Sequence, residues 1–90
     1  MTNFTPGCYE DLSKMLIWHR KRSKITQQTL ADMAGISRTA VQRLESGTVP
    51  VQIDTLEKAL TVLNIKMSYS SPLMAQYVEL SKSNVDETEI

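Results

Sequence analysis

The sequence has few of the residues that catalysis, metal binding or covalent cross-linking require. It contains one cysteine, one histidine, three glycines and three prolines among 90 residues. A lone cysteine cannot form a disulfide within the chain, which is typical of a protein from a reducing compartment. There is no glycine-rich phosphate loop and no cluster with metal-ligand spacing. The sequence therefore predicts no enzyme activity, no metal site and no cofactor.

Long apolar segments and an excess of one charge are also missing. No stretch approaches the roughly 20 apolar residues of a membrane helix, and the N-terminus lacks the pattern of an export signal. We therefore expect a cytoplasmic protein without a membrane partner. The net charge is zero.

Ninety residues suit one small domain, for which dimerisation would help to bury apolar surface.

The charges are unevenly distributed, although they sum to zero. Between Lys14 and Arg43 the only acid is Asp32, whereas acids predominate from Glu45 onward. That first part carries most of the basic residues: Lys14, Arg20, Lys21, Arg22, Lys24, Arg38 and Arg43. Because DNA affinity depends on the local field, this asymmetry favours a DNA-binding surface, although charged runs are often only solvated.

Residues 26–47 have the pattern of two short helices separated by a tight turn. Thr26 and Ser37 can each accept a hydrogen bond from an early backbone N–H group and so cap a helix. Gly35 and Gly47 suit the left-handed conformation that follows a helix. The predicted buried positions recur at helical spacing: Leu30, Ala31, Ala34, Val41 and Leu44. This arrangement is typical of a helix-turn-helix.

The second helix would expose polar side chains that suit the edges of DNA bases. Arginine can bond guanine through two atoms, glutamine can do the same with adenine, and threonine offers a hydroxyl and a methyl group. The residues predicted to face outward are Arg38, Thr39, Gln42 and Arg43. The alternative is an ordinary solvated helix face. The complete two-helix pattern favours DNA binding.

Several short motifs carry a family resemblance: Thr26-Gln27, Leu30-Ala31, Gly35-Ile36-Ser37, Val41 and Leu44-Glu45-Ser46-Gly47. With them, residues 12–63 resemble the DNA-binding domains of the lambda Cro and phage-repressor (XRE) family. The resemblance implies that Gln27 touches a phosphate and that Arg20 forms a structural ion pair with Glu45. It also implies that the base contacts are Arg38, Thr39 and Gln42. The full set of predicted phosphate contacts is Gln27, Lys21, Lys24, Arg43, Ser37 and Thr48.

Further helices are predicted on both sides of this segment. One begins near residues 9–11, and its core face would carry Leu12, Met15, Leu16 and Arg20. Another follows Pro50, and its core face would carry Leu56, Ala59, Leu60 and Leu63. We expect Trp18 to pack at the edge of the core, with an exposed partner surface as the alternative. We expect His19 to be solvated or to face a phosphate.

Residues 64–70 depart from the phage-repressor pattern, because apolar and polar residues alternate there. Ile65, Met67 and Tyr69 occupy every second position, which predicts a β-strand. A lone strand leaves backbone groups unpaired, and the same strand of a second copy could satisfy them. In such a homodimer, two recognition helices roughly 34 Å apart would read a palindromic operator on double-stranded DNA.

This order of helices and strand is similar to the HipB-type antitoxins, and the run from Thr55 to Ser68 is part of the resemblance. Such antitoxins repress their own operon and bind a HipA-like kinase toxin, so the resemblance implies both partners. The alternative is a stand-alone phage- or plasmid-type regulator. The predicted fold is all-α, a lambda-repressor-like helix-turn-helix domain of four to five helices followed by one short dimerising strand.

The chain divides into three predicted parts. Residues 1–8 would be a flexible N-terminus, residues 9–71 the DNA-binding and dimerisation domain, and residues 72–90 a partly disordered acidic tail. Leu73, Tyr77 and Leu80 follow Pro72 at helical spacing and allow a short helix. Residues 81–89 are expected to be disordered.

Overall fold

The computed structural model describes residues 2–82. Its five helices are α1 (Tyr9–Arg22), α2 (Gln27–Ala34), α3 (Arg38–Glu45), α4 (Ile53–Val62) and α5 (Met74–Lys82). Within residues 2–82 there is no β-strand, so the all-α class is confirmed. In the same part of the chain, every helix is too short or too polar to cross a membrane.

The two helices of the helix-turn-helix are delimited by the predicted residues. Thr26 Oγ1 accepts a hydrogen bond from the backbone N–H of Thr29 at 3.0 Å, and Ser37 Oγ accepts one from Ala40 at 3.0 Å. Gly35 follows α2 with a φ of 71°, a conformation that glycine adopts without a Cβ clash. Thr26 and Gly35 thus mark the two ends of α2, and Ser37 marks the start of α3.

A single apolar core joins α1, α2, α3 and α4. Its buried side chains are Leu16, Leu30, Ala31, Val41, Leu44, Leu56, Ala59, Leu60 and Leu63. Helix α3 packs against α1, α2 and α4, and α2 also packs against α4. One face of α3 is therefore fixed by three other helices, which makes the orientation of its opposite face a property of the fold.

The glycine after α3 is needed for a close approach as well as for its backbone conformation. Gly47 has a φ of 78° and lies beside α1. A Cβ at this position would come within 3.2 Å of Ser13 Oγ and 3.7 Å of Glu10 Cα. Ser13 is itself 2% exposed and donates a hydrogen bond to the Glu10 carbonyl. The end of α3 and the start of α1 thus pack without space for a side chain.

Residues 65–70 form neither helix nor strand within this single chain. Ile65 packs against the core, whereas Met67 and Tyr69 are 38% and 69% exposed. A lone strand becomes part of a sheet only through a partner. The pairing of this segment with a second copy therefore stays a prediction.

The helix that the spacing after Pro72 allows is present as α5, and it extends through Ser81 and Lys82. The expectation that these two residues are disordered is wrong. Ser81 Oγ donates a hydrogen bond to the Val78 carbonyl at 2.9 Å, so the last described turn is helical. The rest of the predicted disordered tail, residues 83–89, lies outside the described residues.

The prediction that Trp18 packs at the edge of the core is wrong, because its side chain is 59% exposed. Two positions along a helix correspond to a rotation of about 200°, so Trp18 faces away from the buried Leu16. Its ring makes an edge-on contact with His19 and lies 6.0 Å from the guanidinium of Arg22. His19 is half-buried, and its Nδ1 donates to the Met15 carbonyl at 2.7 Å.

Candidate nucleic-acid interface

The predicted base contacts lie on the exposed face of α3. Arg38, Thr39 and Gln42 are all exposed and, at helical spacings of three and four, share one side of the helix. Within residues 2–82, no hydrogen bond or ion pair engages the side chains of these three residues. Their donors and acceptors are therefore available to an external ligand.

The opposite face of α3 is anchored by apolar packing. Val41 is 0% exposed and Leu44 is 3% exposed, and both belong to the common core. Burying a side chain of this size stabilises a fold by about 1.5–3 kcal/mol. Helix α3 is thus amphipathic: its apolar face anchors it in the core, and its opposite face exposes polar side chains to solvent.

A buried ion pair connects α1 with the end of α3. Arg20 Nε lies 2.7 Å from Glu45 Oε2, and Arg20 Nη2 donates to Glu45 Oε1 at 3.0 Å. The two side chains are 12% and 6% exposed. The third guanidinium nitrogen, Nη1, donates to the carbonyl of Ile25 at 3.1 Å. This is the ion pair that the family resemblance implies, and it also fixes the loop before α2.

The same carboxylate holds the first residue of α2. Gln27 Nε2 donates to Glu45 Oε1 at 3.1 Å, and Gln27 is half-buried. Glu45 therefore joins α1, α2 and α3 through one carboxylate. Only one of the two amide hydrogens of Gln27 is needed for this bond. The phosphate contact predicted for Gln27 stays a prediction, and the remaining N–H group is the one that could make it.

A second bond between α1 and α3 was not predicted from the sequence. The hydroxyl of Tyr9 donates to the carbonyl of Leu44 at 2.8 Å, and so satisfies a carbonyl in the last turn of α3. Burial raises the pKa of Tyr9. The two residues are 35 positions apart, and Tyr9 is in no motif of the helix-turn-helix, so no local pattern could have identified the contact.

Several of the predicted contacts to DNA phosphates lie near the N-terminal end of α3. Lys21, Lys24, Gln27 and Arg38 all line an open groove of about 700 Å³, together with Gln28. The groove thus brings cations from the end of α1 beside the N-terminal residue of α3. Basic and polar side chains of this kind bind the phosphates of the DNA backbone.

The other three predicted phosphate contacts lie outside this groove and are already bonded to protein groups. Arg43 Nε donates to the Pro50 carbonyl at 3.3 Å, and Ser37 Oγ caps α3. The hydroxyls of Thr48 and Ser46 lie 2.8 Å apart. Each of these contacts is exposed, so a DNA phosphate could add to it or replace it.

Comparison with known proteins agrees with this geometry. Residues 16–70 match the helix-turn-helix family HTH_3, which covers more than half of the chain and all of α2, α3 and α4. No curated protein matches the sequence.

Two solved structures have a similar fold. One is described as an MDT protein, and the other is a chain of a HipA-HipB-O2-O3 complex. Each match has a TM-score of 0.67 and 19% sequence identity, and covers 80% of this chain and 99% of the other. At this identity the similarity establishes the fold.

Proposed function

Because the chain belongs to the helix-turn-helix family HTH_3, we propose that it is a sequence-specific transcriptional repressor that reads DNA with α3. The observation that carries this proposal is the division of α3 into a buried apolar face and a polar face on which Arg38, Thr39 and Gln42 have no hydrogen bond or ion pair within residues 2–82. Arg38, Thr39 and Gln42 would enter the major groove and contact base edges. The repressor would act in the cytoplasm and needs no cofactor.

The basic groove supplies the second half of the mechanism. Lys21, Lys24 and Gln27 would contact backbone phosphates and fix the register of the protein on the duplex, while α3 supplies the sequence preference. Pairing of residues 65–69 between two copies would place two α3 helices about 34 Å apart, which suits a palindromic operator. The zero net charge does not oppose this role, because Lys21, Lys24 and Arg38 line the groove and its lining contains no Asp or Glu.

The proposal is tested by selecting bound sequences from a random pool of duplex DNA. The native protein should enrich an inverted repeat with half-sites one helical turn apart. The double variant Arg38→Ala and Gln42→Ala should lose the preference at specific positions within each half-site, because bidentate base contacts contribute about 1–3 kcal/mol each. Lys58→Ala, an exposed change on α4, is the matched control. Identical selected sequences for the native and double-variant proteins would refute the assignment.

Salt dependence separates the phosphate contacts from the base contacts. Lys21→Ala and Lys24→Ala should each weaken binding to all sequences. Each should also reduce, by about one, the magnitude of the slope of the logarithm of the binding constant against the logarithm of the salt concentration. Arg38→Ala should instead alter the preference between sequences. A lysine variant that keeps the native salt slope would remove that lysine from the interface.

We propose, as a more specific role, that this repressor is an antitoxin that also binds a HipA-like kinase toxin. The supporting observation is the fold shared with a chain of the HipA-HipB-O2-O3 complex. Co-expression with a kinase-like protein from a neighbouring gene should give a stable complex and reduce kinase toxicity. A kinase-like neighbour that neither binds nor loses toxicity would favour the stand-alone regulator.

A further inference from the structure

Helix α5 differs from the other four helices because it has no buried residue. The extensive helix contacts of the described chain all lie among α1, α2, α3 and α4. Leu73, which directly precedes α5, and Tyr77 nevertheless have large apolar side chains at a spacing of four residues, and they are 66% and 54% exposed. The neighbouring Val78 is 40% exposed. An apolar helix face of this kind is normally covered by another surface.

A surface of suitable chemistry lies at the C-terminal end of α4. An open hollow of about 470 Å³ is lined by the apolar side chains of Leu60, Ile65 and Met67. Glu57 and Lys66 lie at the same hollow and supply one charge of each sign. Helix α5 likewise carries one acid and one base, in Glu79 and Lys82. Contact between α5 and the hollow would bury apolar groups without bringing an excess of positive or negative charge together.

The proposed dimer determines which copy of the hollow each α5 can reach. In a symmetric antiparallel pair centred on Met67, a residue that follows Met67 lies opposite the partner residue that precedes Met67 by the same number of positions. Tyr69 then lies opposite the partner's Ile65, and the chain that continues toward Leu73 runs along the end of the partner's α4. Residues 70–73 span at most about 14 Å. Helix α5 consequently begins beside the hollow of the second copy.

We infer that α5 of each protomer docks in the hollow beside α4 of the other protomer, so that the two C-terminal arms are exchanged across the dimer. The inference rests on the strand-paired dimer of the proposed function. The occupant of the hollow is α5 of a second copy of this chain. The twofold symmetry of the dimer repeats the contact, so that both α5 helices and both hollows are used. The arm exchange gives the dimer an interface larger than two short strands.

Inter-chain cross-linking between differently labelled chains tests the exchange. In a Cys8→Ser background, one chain carries Ala75→Cys and the other carries Thr61→Cys. Both positions are exposed, and neither change alters the apolar face of α5. A short bis-maleimide should link the mixed chains into a heterodimer. The matched control pairs Ala75→Cys with Lys14→Cys on α1, and should give little product.

The outcomes separate the arm exchange from the dimer itself. A native protein that sediments as a dimer without the 75–61 cross-link would overturn the exchange and leave the dimer intact. A native monomer at cross-linking concentration would overturn both, while the base-contact test of α3 stays independent. A second measurement uses Tyr77→Asp, which should weaken dimerisation about 10-fold or more by placing a charge in the apolar contact. Gln76→Asp should leave dimerisation unchanged, and equal effects of the two changes would contradict the exchange.

Discussion

The two ends of this chain use their apolar residues differently. Helices α1 to α4, together with Leu63 directly after α4, bury nine apolar side chains in one core. The Arg20–Glu45 pair and the Tyr9–Leu44 bond also connect α1 with α3. Residues 65–82 leave Met67, Tyr69, Leu73, Tyr77 and Val78 exposed. The first region forms one core within a single chain, and this core fixes α3. The second region leaves its apolar side chains exposed, and the proposed arm exchange would cover them.

The largest effect expected from breaking the first region is that of Glu45→Ala. The change leaves the Arg20 guanidinium buried without its carboxylate and also removes the partner of Gln27. Loss of one member of a buried pair costs about 3–5 kcal/mol, which chemical denaturation would measure. Glu10→Ala breaks the exposed pair with Lys14, whose side chains are 64% and 70% exposed, and should change stability by about 0–1 kcal/mol. Equal effects would contradict the structural role of Glu45.

A leucine truncation in each region gives the next contrast. Leu16 is 1% exposed in the core, so Leu16→Ala should lower the free energy of unfolding by about 2–5 kcal/mol. Leu73 is 66% exposed, so Leu73→Ala should change the stability of an isolated protomer by about 0.5 kcal/mol or less. The measurement is urea denaturation at a concentration low enough to populate protomers. A large loss for Leu73→Ala under these conditions would show that α5 packs within its own chain.

A smaller and pH-dependent effect is expected for Tyr9→Phe. Removal of the hydroxyl should cost about 0.5–1.5 kcal/mol, because it leaves the Leu44 carbonyl without this donor. Burial raises the pKa of Tyr9 above its ordinary value of 10.0. Its contribution is therefore fully present below about pH 10 and is lost as the pH rises through the raised pKa.

The stability difference between the native protein and Tyr9→Phe should accordingly shrink above pH 10. Thermal unfolding of both proteins between pH 8 and pH 11 would measure it. A difference that stays constant over this range would rule out the contribution from Tyr9 ionisation.

Local rules were sufficient to predict the helix-turn-helix. The capping hydroxyls of Thr26 and Ser37 and the left-handed Gly35 act within three or four residues, so the sequence pattern contains the whole interaction. The exposed face of α3 followed from the same periodicity. Family resemblance supplied the Arg20–Glu45 pair, whose partners are 25 residues apart.

Features that depend on tertiary packing could not be predicted in this way. The Tyr9–Leu44 bond and the close approach of Gly47 to α1 require knowledge of how α1 crosses α3. Trp18 was expected at the edge of the core, although its rotation from Leu16 places its side chain in solvent. The strand predicted at residues 65–69 depends on a second chain, so its formation is decided by association and not by local propensity.

The most direct test of base reading by α3 is a double-mutant cycle, in which the substitution of Arg38 is combined with the substitution of one base pair of the operator. Affinities would be measured for native and Arg38→Ala proteins on the selected operator and on duplexes with one base pair changed. The native protein should discriminate against one particular change by about 1–3 kcal/mol, and Arg38→Ala should lose that discrimination while keeping the others. Equal discrimination by both proteins at every position would contradict base reading by Arg38.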